Sequence, residues 1–107
     1  MNEHSANDPA LAAFEAAIRK RLGAHLQQMI LYGSRARGDN DPESDYDILL
    51  IVDEVTQDIK DAINEVSAEC FCEYSRLFPA IPVSEKEFEV RLYCPLFMNV
   101  RREGVSL

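Results

Sequence analysis

Between two apolar runs lies the segment GSRARGDNDPESDYD, which covers residues 33–47. Glycine lets a backbone approach a ligand closely, so the Gly33-Ser34 corner could contact phosphate oxygens. Asp45 and Asp47 open the second apolar run, and Mg²⁺ is commonly held by one or two carboxylates together with the phosphates of a substrate. The layout therefore predicts a site for a metal-bound nucleoside triphosphate.

The two carboxylates are separated by one residue on a predicted strand. Alternate residues of a strand share a face, so Asp45 and Asp47 should point the same way with their Cα atoms roughly 6.5–7 Å apart. An apolar strand seldom begins with two acids on one face unless something neutralises them. The competing interpretation is a solvent-exposed strand end, where acids cost little, and the pair alone does not decide between the two.

The residues around the corner are individually weak signals. Any strand can end in a Gly-Ser turn, and no Gly-Lys-Ser/Thr follows Gly33-Ser34, so this is not a P-loop. Arg35 and Arg37 bring positive charge next to the predicted phosphate site. They could equally be solvated or paired with acids of the loop that follows.

Taken together, the segment resembles the nucleotidyltransferase superfamily with the DNA polymerase β fold, whose pattern is Gly-Ser, a spacer and Asp-x-Asp. Here the ten residues 35–44 form the spacer. With Ala36-Arg37-Gly38 and Ser44-Asp45-Tyr46-Asp47, the segment is most similar to the minimal nucleotidyltransferases (MNT proteins). Many of these are antitoxins encoded beside a HEPN-domain toxin. The match is specific over Leu31 to Val52.

The resemblance implies a role for each matching residue. Gly33 and Ser34 would contact the β- and γ-phosphates of ATP, and the nucleotide site would include Arg35 and Arg37. Asp45 and Asp47 would bind Mg²⁺ and be the catalytic carboxylates. AMP would be transferred to a hydroxyl with loss of pyrophosphate. In the HEPN-associated members of the family the acceptor is a tyrosine of the cognate toxin, and the modification blocks the toxin.

One departure from the family pattern bears on activity. The superfamily usually has a third carboxylate on a later strand, but the matching run Leu77–Val83 contains no acid. Glu73, Glu85 and Glu87 lie nearby in sequence, and each is better explained as helix surface or helix cap. A decayed transferase that neutralises its partner by contact alone is therefore the alternative function. Transfer to a small molecule is a third possibility, although such enzymes usually need a second domain.

Length and composition set further limits. The chain has 107 residues, enough for a single domain over residues 1–107 in which residues 1–7 form a flexible tail. Its net charge of −8 argues against nucleic acid as a direct partner. We expect no membrane span and no signal peptide, and hence a cytoplasmic protein that could form homo-oligomers or hetero-oligomers with a toxin. Cys70-x-Cys72 could suggest a metal site, but no second Cys/His pair accompanies it.

Hydrophobic periodicity predicts an α/β (α+β) fold, a small mixed sheet with helices packed on it. A last helix is expected from Cys94-Pro95 to Gly104, and Asp39–Ser44 is expected to be a loop. The other predicted elements are a helix from the Asp8 cap to Leu22, a strand at Leu26–Tyr32, a turn of helix at Arg35–Arg37, an interior strand from Asp45 or Tyr46 to Val52, a long helix from Val55 to Leu77, an edge strand at Leu77–Val83 and a short helix from the Ser84 cap to about Leu92.

Overall fold

The computed structural model describes residues 8–38 and 45–107. The predictions of a flexible tail at 1–7 and of a loop at 39–44 lie outside these residues. The elements in chain order are α1 (Pro9–Leu22), β1 (Leu26–Tyr32), α2 (Ser34–Arg37), β2 (Asp47–Val52), α3 (Gln57–Tyr74), β3 (Ala80–Ser84), α4 (Glu85–Val90), α5 (Pro95–Glu103) and β4 (Val105–Ser106).

The strands form one mixed sheet in the order β3-β2-β1-β4. Strand β2 runs antiparallel to β1 and parallel to β3, while β4 runs antiparallel to β1. The predicted small mixed sheet is confirmed. So is the interior position of β2, whose residues Ile48 to Val52 are all buried.

Helices cover both faces of the sheet, and alternation along β2 assigns its side chains to one face or the other. Ile48, Leu50 and Val52 pack with α1 and α3 in a cluster that we call the first core. Leu49 and Ile51 pack with α5 in a smaller cluster that we call the second core. The two faces of β2 therefore have different surroundings, and this decides where the side chains just before it can go.

The helix ends follow from capping groups. The Asp8 side chain accepts a hydrogen bond from the Leu11 amide at 3.2 Å, and Pro9 follows at the first helical position, as the sequence predicts. Helix α3 is shorter than predicted because the Thr56 side chain caps its start. It ends where Ser75 adopts a left-handed backbone with φ of 55°.

Other boundaries also differ from the sequence prediction, and one short strand was not predicted. The edge strand begins at Ala80 rather than Leu77, since Pro79 has no N–H to donate to the ladder, although its carbonyl accepts from Ile48 at 3.2 Å. Helix α4 ends at Val90, not Leu92, where Arg91 leaves the helical region of backbone space. Strand β4 has only two residues and carries no periodicity that could predict it.

The Cys70-x-Cys72 pair does not form a metal site. Cys70 is buried in the first core, whereas Cys72 is exposed on the outer side of α3, because the two positions fall on different faces of a helix. Within residues 8–38 and 45–107, none of the helices is both long enough and apolar enough to cross a membrane.

Candidate active site

Asp47 is the first residue of β2 and lies at the open end of the sheet. By alternation its side chain points to the face of Leu49, the face of the second core. Its partner across the antiparallel ladder is Tyr32, the last residue of β1. The carboxylate is therefore held by a buried strand, next to the corner at which β1 ends.

Gly33 forms that corner and lies directly against the Asp47 carboxylate. Its backbone has φ of 78° and ψ of −158°, a conformation essentially reserved for glycine. A Cβ atom added to Gly33 would lie 2.6 Å from Asp47 Oδ2. The glycine thus gives the turn its shape and leaves room for the carboxylate.

Helix α2 begins immediately after the corner, at Ser34. The Gly33 carbonyl accepts from the Ala36 and Arg37 amides at 3.1 and 3.2 Å, which closes a single helical turn. The first amides of a helix have no acceptor within it, which makes the Ser34 amide at the start of α2 a candidate donor for an anion.

Asp45 lies outside the regular strand, which corrects the expectation that the strand could begin there. Its side chain is exposed, while that of Asp47 is half-buried. Burial, and to a smaller extent the charge of Asp45, raise the pKa of Asp47 above its usual value. Asp45 is thus close enough for its charge to disfavour ionisation of Asp47.

This pair fits a magnesium ion that is shared with a substrate. No group of three or more His, Cys, Asp or Glu side chains gathers at a metal-binding distance in the described ranges. Mg²⁺ does not need such a cage, because it commonly binds one or two carboxylates and completes its shell with water and phosphate oxygens. A half-buried carboxylate beside a second acid is the kind of donor set that a divalent cation would stabilise.

The side chains of the two arginines of the motif lie in different parts of the structure. The Arg35 guanidinium lies 3.8 Å from the centre of the Tyr46 ring, on the face of the first core and so away from Asp47. Arg37 is exposed and pairs with Glu103 on α5, with 3.0 Å between Arg37 Nη1 and Glu103 Oε1. The structure brings Gly33, Ser34 and the acids together, but it directs the Arg35 side chain to the other side of the sheet.

The third carboxylate is absent from the expected strand. Parallel pairing sets Leu49 opposite Ile81, so Ile81 and Val83 are the β3 residues on the face of Asp47. Neither is an acid, and Ile81 is 41% exposed. An apolar side chain thus occupies the neighbouring strand where the family pattern leads one to expect a carboxylate.

The three acids that lie near this strand in sequence are elsewhere. Glu73 is on α3, which packs on the opposite face of the sheet. Glu85 begins α4 at the far end of β2, about 16 Å from Asp47 at the usual rise per residue. Glu87 pairs with Arg91 at 2.7 Å.

Sequence reasoning missed a contact behind the site. The Tyr46 hydroxyl donates a hydrogen bond of 2.5 Å to Asp8 Oδ2, so the residue between the two acids is tied to the start of α1. Asp8 is recognisable from sequence as a helix cap, but nothing in the sequence motif connects it with Tyr46, which is 38 residues further along the chain.

Comparison with known proteins places these residues in a wider context. Residues 12–92 match the family described as nucleotidyltransferase domain. MJ0604 of Methanocaldococcus jannaschii, assigned as a protein adenylyltransferase, is 32% identical over 104 residues, which cover 97% of this chain and 96% of MJ0604. MJ0141 of the same organism, assigned the same activity, is 38% identical over 69 residues, covering 64% of this chain and 70% of MJ0141.

Two solved structures share the fold. A toxin–antitoxin crystal structure with AMP-PNP superposes with a TM-score of 0.62 at 16% identity and covers 94% of this chain and 71% of the other. A Sulfolobus solfataricus protein assigned as a nucleotidyltransferase superposes with a TM-score of 0.55 at 18% identity, over 99% of this chain and 87% of the other. At these identities the structures establish the common fold.

Proposed function

This chain belongs to the nucleotidyltransferase domain family, and we propose that it is a Mg²⁺-dependent adenylyltransferase that transfers AMP from ATP to a hydroxyl of a protein. The acceptor we propose is a tyrosine of a cognate HEPN-type toxin, so that the chain acts as an antitoxin in the cytoplasm. The single observation that carries the proposal is the packing of Gly33 against the Asp47 carboxylate.

That packing joins the two halves of the motif at one point. The Gly33-Ser34 corner offers a backbone that can approach phosphates, and Asp47 with Asp45 offers the charge that attracts a metal. Because both sit at the open end of the sheet, one Mg–ATP could contact all four residues at once. Arg37, at the end of α2, would add positive charge near the phosphates. Arg35, which lies over the Tyr46 ring, would contribute its positive charge from the opposite face of the sheet.

The chain's own residues would bind and orient the nucleotide. Ser34 would donate hydrogen bonds to the outer phosphates, and Asp45 and Asp47 would hold the cation. When bound, Mg²⁺ supplies positive charge that stabilises the oxygens of an in-line displacement. The bond from the acceptor hydroxyl oxygen to the α-phosphorus forms as the bond to pyrophosphate breaks, and the hydroxyl proton is released.

A protein acceptor agrees with the charge of the chain. A net charge of −8 disfavours approach to a nucleic-acid backbone, which carries the same sign. Relatives assigned as protein adenylyltransferases and a toxin–antitoxin structural neighbour support an acceptor on a protein. We therefore propose a hetero-oligomer with the toxin as the working form.

The test is transfer of AMP to the protein encoded by the adjacent gene. The purified pair is incubated with ATP and Mg²⁺, the mass gain of the partner is measured, and the modified residue is located by fragmentation. We expect a gain of whole AMP groups on a tyrosine, and none with the Asp45→Asn/Asp47→Asn variant. Asp58→Asn/Asp61→Asn is the matched control, because it removes two exposed acids of α3 with the same change of net charge. Transfer that persists in the Asp45/Asp47 variant would refute the mechanism.

A second candidate function rests on the missing acid. Since Ile81 and Val83 face Asp47 from β3, no carboxylate of that strand can help to bind the metal or activate the acceptor. A contact-only antitoxin would neutralise the toxin equally well with and without Asp45 and Asp47, and no AMP would appear on the partner. The same two variants therefore separate the two functions.

A further inference from the structure

The residue between the two acids is buried and makes several side-chain contacts. Tyr46 is 2% exposed, and its ring stacks on Phe78 with 4.5 Å between centroids and 11° between planes. Phe78 stacks in turn on Phe14 at 4.5 Å and 2°. The Arg35 guanidinium lies over the Tyr46 ring at 3.8 Å. The side chain of Tyr46 is therefore the end of an aromatic stack that belongs to the first core.

The hydroxyl of Tyr46 adds a directional contact to this stack. It donates to Asp8 Oδ2 at 2.5 Å, while Asp8 Oδ1 accepts from the Leu11 amide at 3.2 Å. Arg35 Nη1 lies 3.8 Å from the same Asp8 oxygen as the tyrosine hydroxyl. One carboxylate thus caps α1 and fixes Tyr46 at the same time.

This side chain attaches the segment that carries the acids to the first core. The antiparallel ladder with β1 reaches only as far as Asp47, and the Tyr46 amide donates to the Leu77 carbonyl at 3.1 Å. Without such an attachment, two neighbouring carboxylates would be free to separate.

We propose that Asp8 and Tyr46 are positioning residues, which fix the backbone of residues 45–47 so that the carboxylates of Asp45 and Asp47 face one cation. This inference rests on the proposed function for its consequence, the binding of Mg–ATP. The Tyr46 side chain lies on the face of the first core, whereas Asp47 points to the face of the second core. Asp8 and Tyr46 act from the opposite face of the sheet, through the backbone that Tyr46 shares with the acids.

Two variants remove the attachment in different ways. Tyr46→Phe keeps the aromatic stack and loses the hydroxyl. Asp8→Ser keeps a good helix cap but is too short to hold both the Leu11 amide and the Tyr46 hydroxyl. Tyr74→Phe is the matched control for the tyrosine, since Tyr74 lines the same cavity of about 300 Å³ as Tyr46 and Arg35. Thr56→Ala is the control for a lost cap, because Thr56 caps α3.

The first measurement is amide hydrogen exchange over residues 45–48 of the full chain without nucleotide. We expect exchange to be about 3- to 10-fold faster in Tyr46→Phe and Asp8→Ser, the factor that the net contribution of one hydrogen bond implies. Exchange in residues 49–52 should be unchanged in both. Exchange at 45–48 equal to that of the wild type in both variants would overturn the proposal.

The second measurement is the Mg²⁺ concentration that supports half-maximal ATP binding. It should rise by about 3- to 10-fold in the two variants and stay unchanged in Tyr74→Phe and Thr56→Ala, while ATP affinity at saturating Mg²⁺ recovers. Faster exchange with an unchanged Mg²⁺ requirement would overturn the positioning role. If the wild type binds no Mg–ATP, the proposed function fails, and the exchange experiment still decides whether Asp8 and Tyr46 fix the segment.

Discussion

The negative charge of Asp47 lowers the stability of the folded protein, but it suits a site that binds a cation. Its carboxylate is half-buried beside Asp45 and Gly33, and both burial and the neighbouring charge favour its neutral form. A group in this situation stabilises the fold when it is protonated or when a cation joins it. The residue therefore has the physical character of a ligand rather than of a structural ion pair.

The first prediction concerns the stability of Asp47→Asn without metal. The folded-state pKa of Asp47 is raised above its ordinary value of 3.8. Ionisation of Asp47 therefore lowers the stability of the folded protein as the pH rises from 3.8 through the folded-state pKa. We expect Asp47→Asn to melt at a higher temperature than the wild type at pH 7. The difference should shrink on acidification and vanish by about pH 3, below the ordinary pKa of 3.8, where Asp47 is protonated in both states.

Thermal melts between pH 3 and 7 in a metal chelator test this, with Asp58→Asn on the exposed face of α3 as the control. A variant less stable than the wild type at pH 7 would mean that Asp47 makes a favourable contact in the free protein.

Tyr46 gives a prediction at the alkaline end. Its pKa rises from an ordinary value of 10 to about 12 on folding, so its neutral form stabilises the folded state. That stabilisation is complete below pH 10 and is lost as pH rises from about 10 to 12. The stability gap between the wild type and Tyr46→Phe should therefore close over this interval in denaturant titrations. A gap that is independent of pH would show that folding does not raise the pKa of Tyr46.

At the scale of elements, the site is a strand end, a corner and one turn of helix. Strand β1 ends at Tyr32, Gly33 turns the chain, and β2 begins at Asp47, opposite Tyr32. The corner has this shape only because position 33 carries no side chain.

Gly33→Ala and Gly38→Ala provide a matched pair of substitutions. Both glycines have positive φ, at 78° and 82°, but a Cβ at Gly38 would meet nothing within 4 Å. Each alanine should cost about 1–3 kcal/mol of stability from backbone strain. Only Gly33→Ala should also abolish Mg–ATP binding, because it displaces the Asp47 carboxylate.

Calorimetric ATP titration of the two alanine variants, with melting temperatures measured alongside, separates strain from displacement. Equal losses of binding in both variants would contradict a specific role for the corner. Normal binding by Gly33→Ala would do so as well.

How much of the fold could be predicted from the sequence depends on how far apart in the chain the interacting residues are. The Asp8 cap, the strand Leu26–Tyr32 and the interior character of β2 depend on neighbouring residues, and the structure confirms all three. The beginning of β3 depends on the missing N–H of Pro79 and on which neighbour it meets, so periodicity placed it three residues early. Strand β4 forms only because α5 returns the chain to β1.

The residues of the candidate site also divide into those that local rules place and those that distant contacts place. Gly33 and Asp47 could be placed from the motif, since strand alternation and the glycine turn are local rules. The direction of the Arg35 side chain could not, because it depends on the ring of Tyr46 and on Asp8, which fold together from distant parts of the chain. Motif spacing does not reveal contacts of this kind.

At the scale of the whole molecule, the side chain of Tyr46 and that of Asp47 lie on opposite faces of the sheet. Helices α1 and α3 pack on the face that holds Tyr46, while α5 packs on the face to which Asp47 points. Arg37 and Glu103 connect α2 with the end of α5 beside the corner. Asp47 consequently lies at the end of the buried strand β2, with Asp45 exposed just before it.

The measurement that tests the central claim most directly is a calorimetric titration of ATP into the wild type with and without Mg²⁺. We predict binding that requires the metal, that is absent in Asp45→Asn/Asp47→Asn, and that is retained in Asp58→Asn/Asp61→Asn. Binding that is unaffected by removal of either the metal or the two acids would contradict the account, and so would the absence of binding to the folded wild type.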